Sequence, residues 1–167
     1  MASEESEEPN WLTDEEALAW VALAGVLLEL PTALDAQLQR DVGISHFEYQ
    51  VMAMLSMEAD RTLRMSHLAA LANGSLTRLS RVVDRLDDRG WVCRRVDPTD
   101  GRYTLAVLTQ KGWKKVVQTA PGHVAEVRRL IFDQLTKAQV RQTRDIANRI
   151  LRAIGSEGLA PPGDGAR

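Results

Sequence analysis

Between residues 65 and 88 the apolar positions recur at helical spacing in two consecutive runs. The apolar face of the first run consists of Met65, Leu68, Ala69 and Ala72. Asn73 and Gly74 follow, and both residue types tolerate positive φ, so the sequence predicts a turn there. Ser75 is placed to cap a second helix, because its hydroxyl can accept a hydrogen bond from an unpaired backbone N–H.

The second run predicts a helix that is basic on its free side. Its apolar positions are Leu76, Leu79, Val83 and Leu86. At about 100° per residue, Thr77, Arg81 and Arg85 point to the opposite side, and Arg78 lies on the flank. Two helices joined by a short turn, the second with a basic face, indicate a helix-turn-helix. We expect Arg85 to pair within its helix with Asp84 or Asp88 rather than to contact DNA.

A β-hairpin, or wing, is predicted directly after this pair of helices. Gly90 should end the helix, and residues 91–96 and 102–108 have the β-branched and aromatic character of strands. Residues 97–101 are turn-forming, and residues 62–64 are expected to form a short extended piece that pairs with the wing. Arg94, Arg95 and Arg102 cluster on the hairpin.

Long apolar helices flank this basic centre. Capping boxes at Thr13, Ser45 and Thr136, and a cap at Thr109, mark four helix starts. Pro31 should kink or break the first helix near Leu30, and a kink is expected at Pro121. The predicted organisation is a disordered acidic N-terminus at 1–12, a dimerisation helix at 13–44, a winged helix-turn-helix at 45–109, dimerisation helices at 110–154 and a disordered tail at 155–167.

The terminal helices carry more apolar surface than a small winged domain can cover. The economical cover is a second copy of the same chain, because most soluble oligomers are symmetric homo-oligomers. The predicted fold class is therefore mainly α with a small β-hairpin wing, dimerised through its N- and C-terminal helices.

Charge is segregated along the chain although the net charge is only −2. Residues 1–35 contain nine acidic residues and no Lys or Arg, whereas residues 61–102 contain nine Arg and five acids, a local balance of +4. Nucleic-acid binding depends on the field over the docking face, so the local balance favours DNA as a partner. Arginines scattered on a solvated surface are the alternative interpretation, and the helix-turn-helix pattern favours DNA.

Other features bound the class of protein. The single cysteine, Cys93, excludes an internal disulfide and fits a reducing compartment. The N-terminus lacks a signal-peptide pattern, and no uninterrupted apolar run reaches the roughly 18–20 residues of a membrane span, so we expect a cytoplasmic protein without a membrane partner. His46, His67 and His123 lack metal-ligand spacing, no catalytic motif or cofactor fingerprint is present, and an enzyme is not expected.

The central stretch LAALANGSLTRLSRVVDRLDDRGWVCRRVDPTDGRYTLAVLTQKG resembles the MarR family of winged helix-turn-helix regulators. The helix, turn, recognition helix, RLxxRG exit, Asp-x-Arg wing tip and LTxKG start of the next helix occur in family order. The resemblance covers roughly residues 15–155. It implies a bacterial homodimeric transcriptional regulator, acting as a repressor on a pseudo-palindromic operator.

The resemblance also implies residue roles. Ser75, Thr77, Arg78 and Arg81 match the part of the recognition helix that faces the major groove. Arg102 matches the wing-tip arginine that enters the minor groove, and Asp100 matches the acid that orients it. Physical chemistry agrees, because Arg can pair with guanine O6 and N7 and a cation favours a narrow minor groove. Arg94 and Arg95 are expected to contact phosphates.

Many members of the family are released from DNA by small aromatic or phenolic acids. Trp20 and His46 lie in parts of the chain that could line such an effector site, and Trp20 has dimer core as its alternative role. Cys93 is expected to be a packing residue rather than a redox switch, since the cysteine of the peroxide-sensing branch is absent from the first helix.

A different class of function stays open beside DNA binding. Asp84, Asp87 and Asp88 on the second helix, with the acidic N-terminal stretch, would also suit a winged domain used for dimerisation or protein interaction. That alternative predicts no salt-dependent DNA binding and no effect of replacing Arg102.

Overall fold

The computed structural model describes residues 9–155, so the predictions of disorder within 1–8 and 156–167 lie outside the described residues. The described chain is mostly helical with one small sheet, which confirms the predicted fold of helices with a small β-hairpin wing; dimerisation stays a prediction. The elements are α1 Asp14–Val42, α2 His46–Met57, β1 Thr62–Arg64, α3 Met65–Leu71, α4 Leu76–Asp88, β2 Val92–Val96, β3 Thr104–Leu108, α5 Gln110–Leu130, a 3-10 turn Phe132–Gln134 and α6 Lys137–Ala153.

Local side-chain caps start the helices where the sequence predicts them. The Ser45, Ser75, Thr109 and Thr136 hydroxyls each accept a hydrogen bond from the backbone N–H three residues further on. Gly43 and Gly90, with φ of +67° and +69°, follow the ends of α1 and α4. Asn73 supplies the left-handed residue, φ +47°, in the turn between α3 and α4.

The three strands form an antiparallel sheet in the order β1-β3-β2. Leu63 is opposite Ala106, and Cys93 is opposite Val107. The short piece at 62–64 therefore does pair with the wing, as predicted. Strand β3 lies in the middle and connects the hairpin to the helical part of the domain.

One hydrophobic core fills the space between the sheet and the helices from the last third of α1 to α5. Leu38, Leu55, Leu68, Leu86 and Val92 have no exposed surface at all. The apolar face of α4 packs into this core, and its polar face lies towards solvent.

The start of α5 is docked tightly on the segment that leaves α4. The Thr109 hydroxyl donates to the Gly90 carbonyl at 2.7 Å, and Lys111 Nζ donates to the Arg89 carbonyl at 2.7 Å. Gly112 comes so close that a Cβ atom there would lie 2.0 Å from the carbonyl oxygen of Trp91. Glycine at position 112 is therefore what permits this helix to pack where it does.

Helix α1 lacks the break that the sequence predicts near Leu30. It runs uninterrupted through Pro31, so the predicted break is wrong. Proline removes one backbone hydrogen bond without ending the helix, and the Thr32 hydroxyl donates to the Leu28 carbonyl at 3.3 Å beside it. Helix α5 likewise continues through Pro121. The boundary between two compact units falls between Ala33 and Leu34, inside α1.

By length and composition alone, α1 could cross a membrane, which corrects the expectation that no such segment is present. An 18-residue window of this helix has a mean hydropathy of 1.8 and is only 6% buried. Glu29 interrupts the run of apolar residues in the sequence, but a single charged residue leaves the helix apolar on average. Leu18, Trp20 and Leu28 on this helix are 74%, 56% and 73% exposed.

Helix α6 presents a second apolar surface without a cover in the described chain. Ile146, Ile150 and Ile154 recur every four residues, on one face, and are 57%, 42% and 70% exposed. No residue of α6 is buried. A stripe of isoleucines exposed to water is typical of a contact surface.

Candidate nucleic-acid interface

The free face of α4 carries the side chains that the sequence assigned to the major groove. Thr77, Arg78 and Arg81 are exposed, while Leu79, Val82, Val83 and Leu86 are buried beneath them. The Ser75 hydroxyl caps the helix by accepting from the Arg78 N–H at 3.2 Å. Leu76, expected in the core, is 54% exposed because it occupies the first helical position, beyond the buried stripe.

Arg85 pairs with a residue that the sequence did not indicate. Its Nε donates to Glu48 Oε1 at 3.1 Å, across to α2, so the predicted intrahelical pair with Asp84 or Asp88 is wrong. Burial of Glu48 opposes its ionisation, but the hydrogen bonds from Ser45 and Arg85 outweigh this and lower its pKa. Arg85 thus ties the recognition helix to the start of α2.

The two central arginines of the wing differ in their surroundings. Arg94 folds back on α4, where it donates to the Ser80 carbonyl and hydroxyl at 2.9 Å each and pairs with Asp84. Arg95, one residue further on, is exposed. Arg94 is therefore a brace between the wing and α4, and Arg95 is the better placed of the two for a phosphate.

The wing tip presents one arginine on a short carboxylate support. Arg102 Nη2 and Nε donate to the Asp100 carboxylate at 2.7 and 3.0 Å, and the Arg102 side chain is 83% exposed. The hydrogen bonds from Arg102 lower the pKa of Asp100. Asp100 thus binds the Arg102 guanidinium, and its role in orienting Arg102 towards DNA stays a prediction.

The base of the wing tip is fixed by Asp97, a residue that the sequence analysis treated only as part of a turn. Asp97 Oδ1 accepts from the Thr99 hydroxyl at 2.6 Å and from the Thr99 N–H at 2.8 Å. Its other oxygen accepts from Arg64 Nε at 2.8 Å. An aspartate two residues before a threonine is a local signal for this turn, but Arg64 is 33 residues away.

The hydrogen bonds to Asp97 predict a defined pH dependence of stability. The Thr99 hydroxyl and N–H, helped by Arg64, lower the pKa of Asp97 from 3.8 to about 2. Because the folded value is depressed, the stabilisation is complete above the ordinary pKa and disappears as pH falls towards 2. We expect Asp97→Asn to lower the urea midpoint at pH 6 and to make little difference near pH 2.

The matched variant Thr99→Val removes the hydroxyl donor to Asp97, together with a long contact of 3.5 Å from Arg64 Nη2 to the same hydroxyl. It should raise the pKa of Asp97 and move the loss of stability to higher pH. An Asp97→Asn deficit of the same size at pH 2 and pH 6 would contradict the assigned cause.

A cluster of aromatic and imidazole rings, which the sequence does not predict, joins α2 to α5. The His123 ring centroid lies 4.7 Å from that of Tyr49 and 5.7 Å from that of His46. Burial lowers the pKa of both histidines. The backbone N–H of His46 donates to Asp35 Oδ1 at 2.7 Å. His46 and His123 are 77 positions apart in the sequence, so no local pattern indicates their contact.

Three polar side-chain atoms of α1 and α5, one of them on a ring of this cluster, are buried without a hydrogen-bond partner in the described chain. They are Gln37 Oε1, Thr119 Oγ1 and His123 Nδ1. Within residues 9–155 no group of three or more His, Cys, Asp or Glu side chains could hold a metal ion. Trp20 lies on the N-terminal half of α1, and Cys93 is half-buried on β2.

Known proteins that resemble the chain are transcriptional regulators of one family. The sequence profile of the MarR family matches residues 42–102. The HTH-type transcriptional regulator MhqR of Bacillus subtilis is 30% identical over 109 residues, which cover 65% of this chain and 72% of MhqR.

Two solved structures from Streptomyces coelicolor resemble the chain over most of its length. Sco3205, a MarR family transcriptional regulator crystallised in complex with DNA, is 38% identical, with a TM-score of 0.84 and coverage of 93% of this chain and 98% of Sco3205. AbsC, a MarR family transcriptional regulator, is 32% identical, with a TM-score of 0.78 and coverage of 88% and 96%. The chain belongs to the MarR family of DNA-binding transcriptional regulators.

Proposed function

We propose that this cytoplasmic regulator binds a pseudo-palindromic operator as a homodimer and represses transcription from it. The observation that carries the proposal is the exposed row of Thr77, Arg78 and Arg81 on α4, together with the Asp100-supported Arg102 at the tip of the wing. The recognition helix would occupy the major groove and Arg102 the adjacent minor groove. Two symmetry-related lobes would then read two half-sites.

A second copy of the chain is the proposed cover for the exposed apolar faces of α1 and α6. The isoleucine stripe of α6 and the apolar surface of α1 are both exposed to water within a single chain. A lipid bilayer would suit α1 by length but not α6, which also carries four arginines. A homodimer provides apolar cover for both helices at once.

The DNA contacts divide into reading and anchoring roles. Thr77, Arg78 and Arg81 read base edges, while Arg95 binds phosphate and adds affinity without sequence information. Arg94 contributes through the wing, because its guanidinium is engaged with Ser80 and Asp84. Ser75 contributes through the helix cap that presents the Arg78 backbone.

A small aromatic effector is proposed to act at the cluster of His46, Tyr49 and His123. The unpartnered buried atoms Gln37 Oε1, Thr119 Oγ1 and His123 Nδ1 support a polar ligand group there, since buried polar atoms are normally hydrogen-bonded. Ligand binding between α2 and α5 would shift α2, to which α4 is linked by the Arg85–Glu48 pair. Trp20 stays a predicted ligand contact.

The decisive experiment is selection of bound duplexes from a random DNA pool, followed by titration of ionic strength. We expect a pseudo-palindrome with half-sites about one helical turn apart, and an affinity that falls steeply with salt as counterions are released. Repeating the selection with aromatic and phenolic acids tests the effector. Equal, salt-dependent binding of all sequences would overturn the sequence specificity, and an absence of salt-dependent binding would favour the protein-interaction alternative. The ion pair with Arg94 neutralises Asp84, one of the acidic residues of α4 on which that alternative is based.

Arg81→Ala should cost about 1–3 kcal/mol of binding free energy and relax base preference at one position per half-site. Arg81 is suited to this role because its guanidinium is exposed and has no hydrogen bond or ion pair within residues 9–155. The measurement is a comparison of affinities for the selected site and for single-base variants of it.

The matched control for this prediction is Arg95→Ala on the wing. It should weaken all sequences about equally and reduce the salt dependence, as expected for a phosphate contact. A uniform loss in Arg81→Ala as well would remove the base-reading role from Arg81.

A further inference from the structure

Arg78 is held in place much more firmly than its neighbour on the same face. Its guanidinium carbon lies 4.1 Å from the centre of the Phe47 ring, and its backbone N–H is capped by the Ser75 hydroxyl. By contrast, the Arg81 side chain has no aromatic, ionic or hydrogen-bonding partner among the described residues. The Arg78 side chain is therefore conformationally restricted before DNA binds, whereas the Arg81 side chain is not.

The Phe47 ring is itself fixed from two sides. It packs against the hydrophobic core at the start of α2. A Cβ atom at position 74 would lie only 3.0 Å from Phe47 Cζ and 3.4 Å from Cε2. The φ of Gly74 is not positive, so the backbone does not require glycine there, and the space for the ring does.

We propose that Phe47 is a positioning residue that presents the Arg78 guanidinium to a base edge and thereby sets the base preference read by Arg78. The proposal rests on the proposed docking of α4 in the major groove. It goes further by assigning specificity to a residue of α2, which precedes the helix pair α3 and α4.

The chemistry of the guanidinium permits both contacts at once. A cation–π contact uses the flat face of the group, whereas a bidentate contact to guanine uses the N–H groups at its edge. Stacking on Phe47 therefore restricts a long flexible side chain without occupying its donors. A preorganised donor pair loses less conformational freedom on binding.

The test is a comparison of base preferences for Phe47→Leu and Phe47→Tyr. Leucine retains apolar bulk against the core but has no π face, while tyrosine retains the ring. The site position read by Arg78 is identified first, as the position whose preference is lost in Arg78→Ala. We expect Phe47→Leu to reduce the preference there about 2- to 5-fold, and Phe47→Tyr to keep it.

Two further measurements separate positioning from a merely structural role. In the Arg78→Ala background, Phe47→Leu should cause no additional change in base preference. The salt dependence of Phe47→Leu should equal that of the wild type, because no phosphate contact is removed. A structural defect would instead weaken every sequence and would persist without Arg78.

Gly74→Ala provides a variant in which both Phe47 and Arg78 remain. The new Cβ atom must displace the Phe47 ring, so the same base preference should fall in part. An unchanged preference in both Phe47→Leu and Gly74→Ala, with wild-type binding intact, would overturn the role of Phe47 alone. Absence of salt-dependent binding by the wild-type protein would overturn the proposed function with it.

Discussion

Replacing Gly112 by alanine should destabilise the domain by about 3 kcal/mol, the upper end of what overpacking usually costs. A Cβ atom at this position would lie 2.0 Å from the Trp91 carbonyl oxygen and 2.7 Å from Leu108 Cδ1. The first neighbour is backbone and cannot turn away. Helix α5 would have to shift, and the Thr109 and Lys111 hydrogen bonds to residues 89–91 would be strained with it. The expected decrease in the melting temperature is about 6–12 °C.

Gly122→Ala is the matched control, since it makes the same substitution in the same helix. A Cβ atom there would meet only Gln37 Nε2, at an ordinary 3.7 Å. Alanine favours helix over glycine, so this variant should be neutral or more stable by up to about 1 kcal/mol. Equal melting temperatures for the two variants would show that the contact at Gly112 does not constrain α5.

Replacing Ile150 by aspartate should convert the proposed dimer into monomers at micromolar concentration. Ile150 lies in the middle of the exposed isoleucine stripe of α6. Burial of such a side chain is worth about 1.5–3 kcal/mol, and a symmetric interface loses it twice. The dimer dissociation constant should therefore rise about 100-fold or more. Sedimentation equilibrium measures the change, and operator affinity should fall with it.

Asn148→Asp introduces the same charge two residues away, on the other side of α6. It should leave the dimer and its operator affinity close to those of the wild type. A dimer that survives Ile150→Asp would mean that α6 does not form the interface. Recovery of the wild-type chain in a membrane fraction would instead assign the exposed surface of α1 to lipid.

The accuracy of the sequence predictions depended on the distance between interacting residues. Ser45, Ser75, Thr109 and Thr136 cap their helices as predicted, because a cap is decided within about four residues. The wing and its pairing with residues 62–64 were also predictable from strand-forming residues and turn signals.

Interactions between distant segments could not be predicted in the same way. Arg85 has acidic neighbours at helical spacing, yet it pairs with Glu48, 37 residues away. His46 and His123 meet only because α2 packs on α5, and Phe47 reaches Arg78 only because the turn at Gly74 leaves room. Proline propensity also overstated the effect of Pro31, because the remaining hydrogen bonds of a long helix are sufficient to continue it.

Because Gly112 packs tightly against the segment that follows α4, a movement of α5 would be transmitted to α4. With 21 residues and a rise of about 1.5 Å per residue, α5 is about 30 Å long. A tilt of about 5° about one end therefore displaces the other end by about 2.6 Å. Under the proposed docking of α4 in the major groove, a ligand that tilts α5 would move residues 89–91 and withdraw α4 from the groove without itself touching DNA.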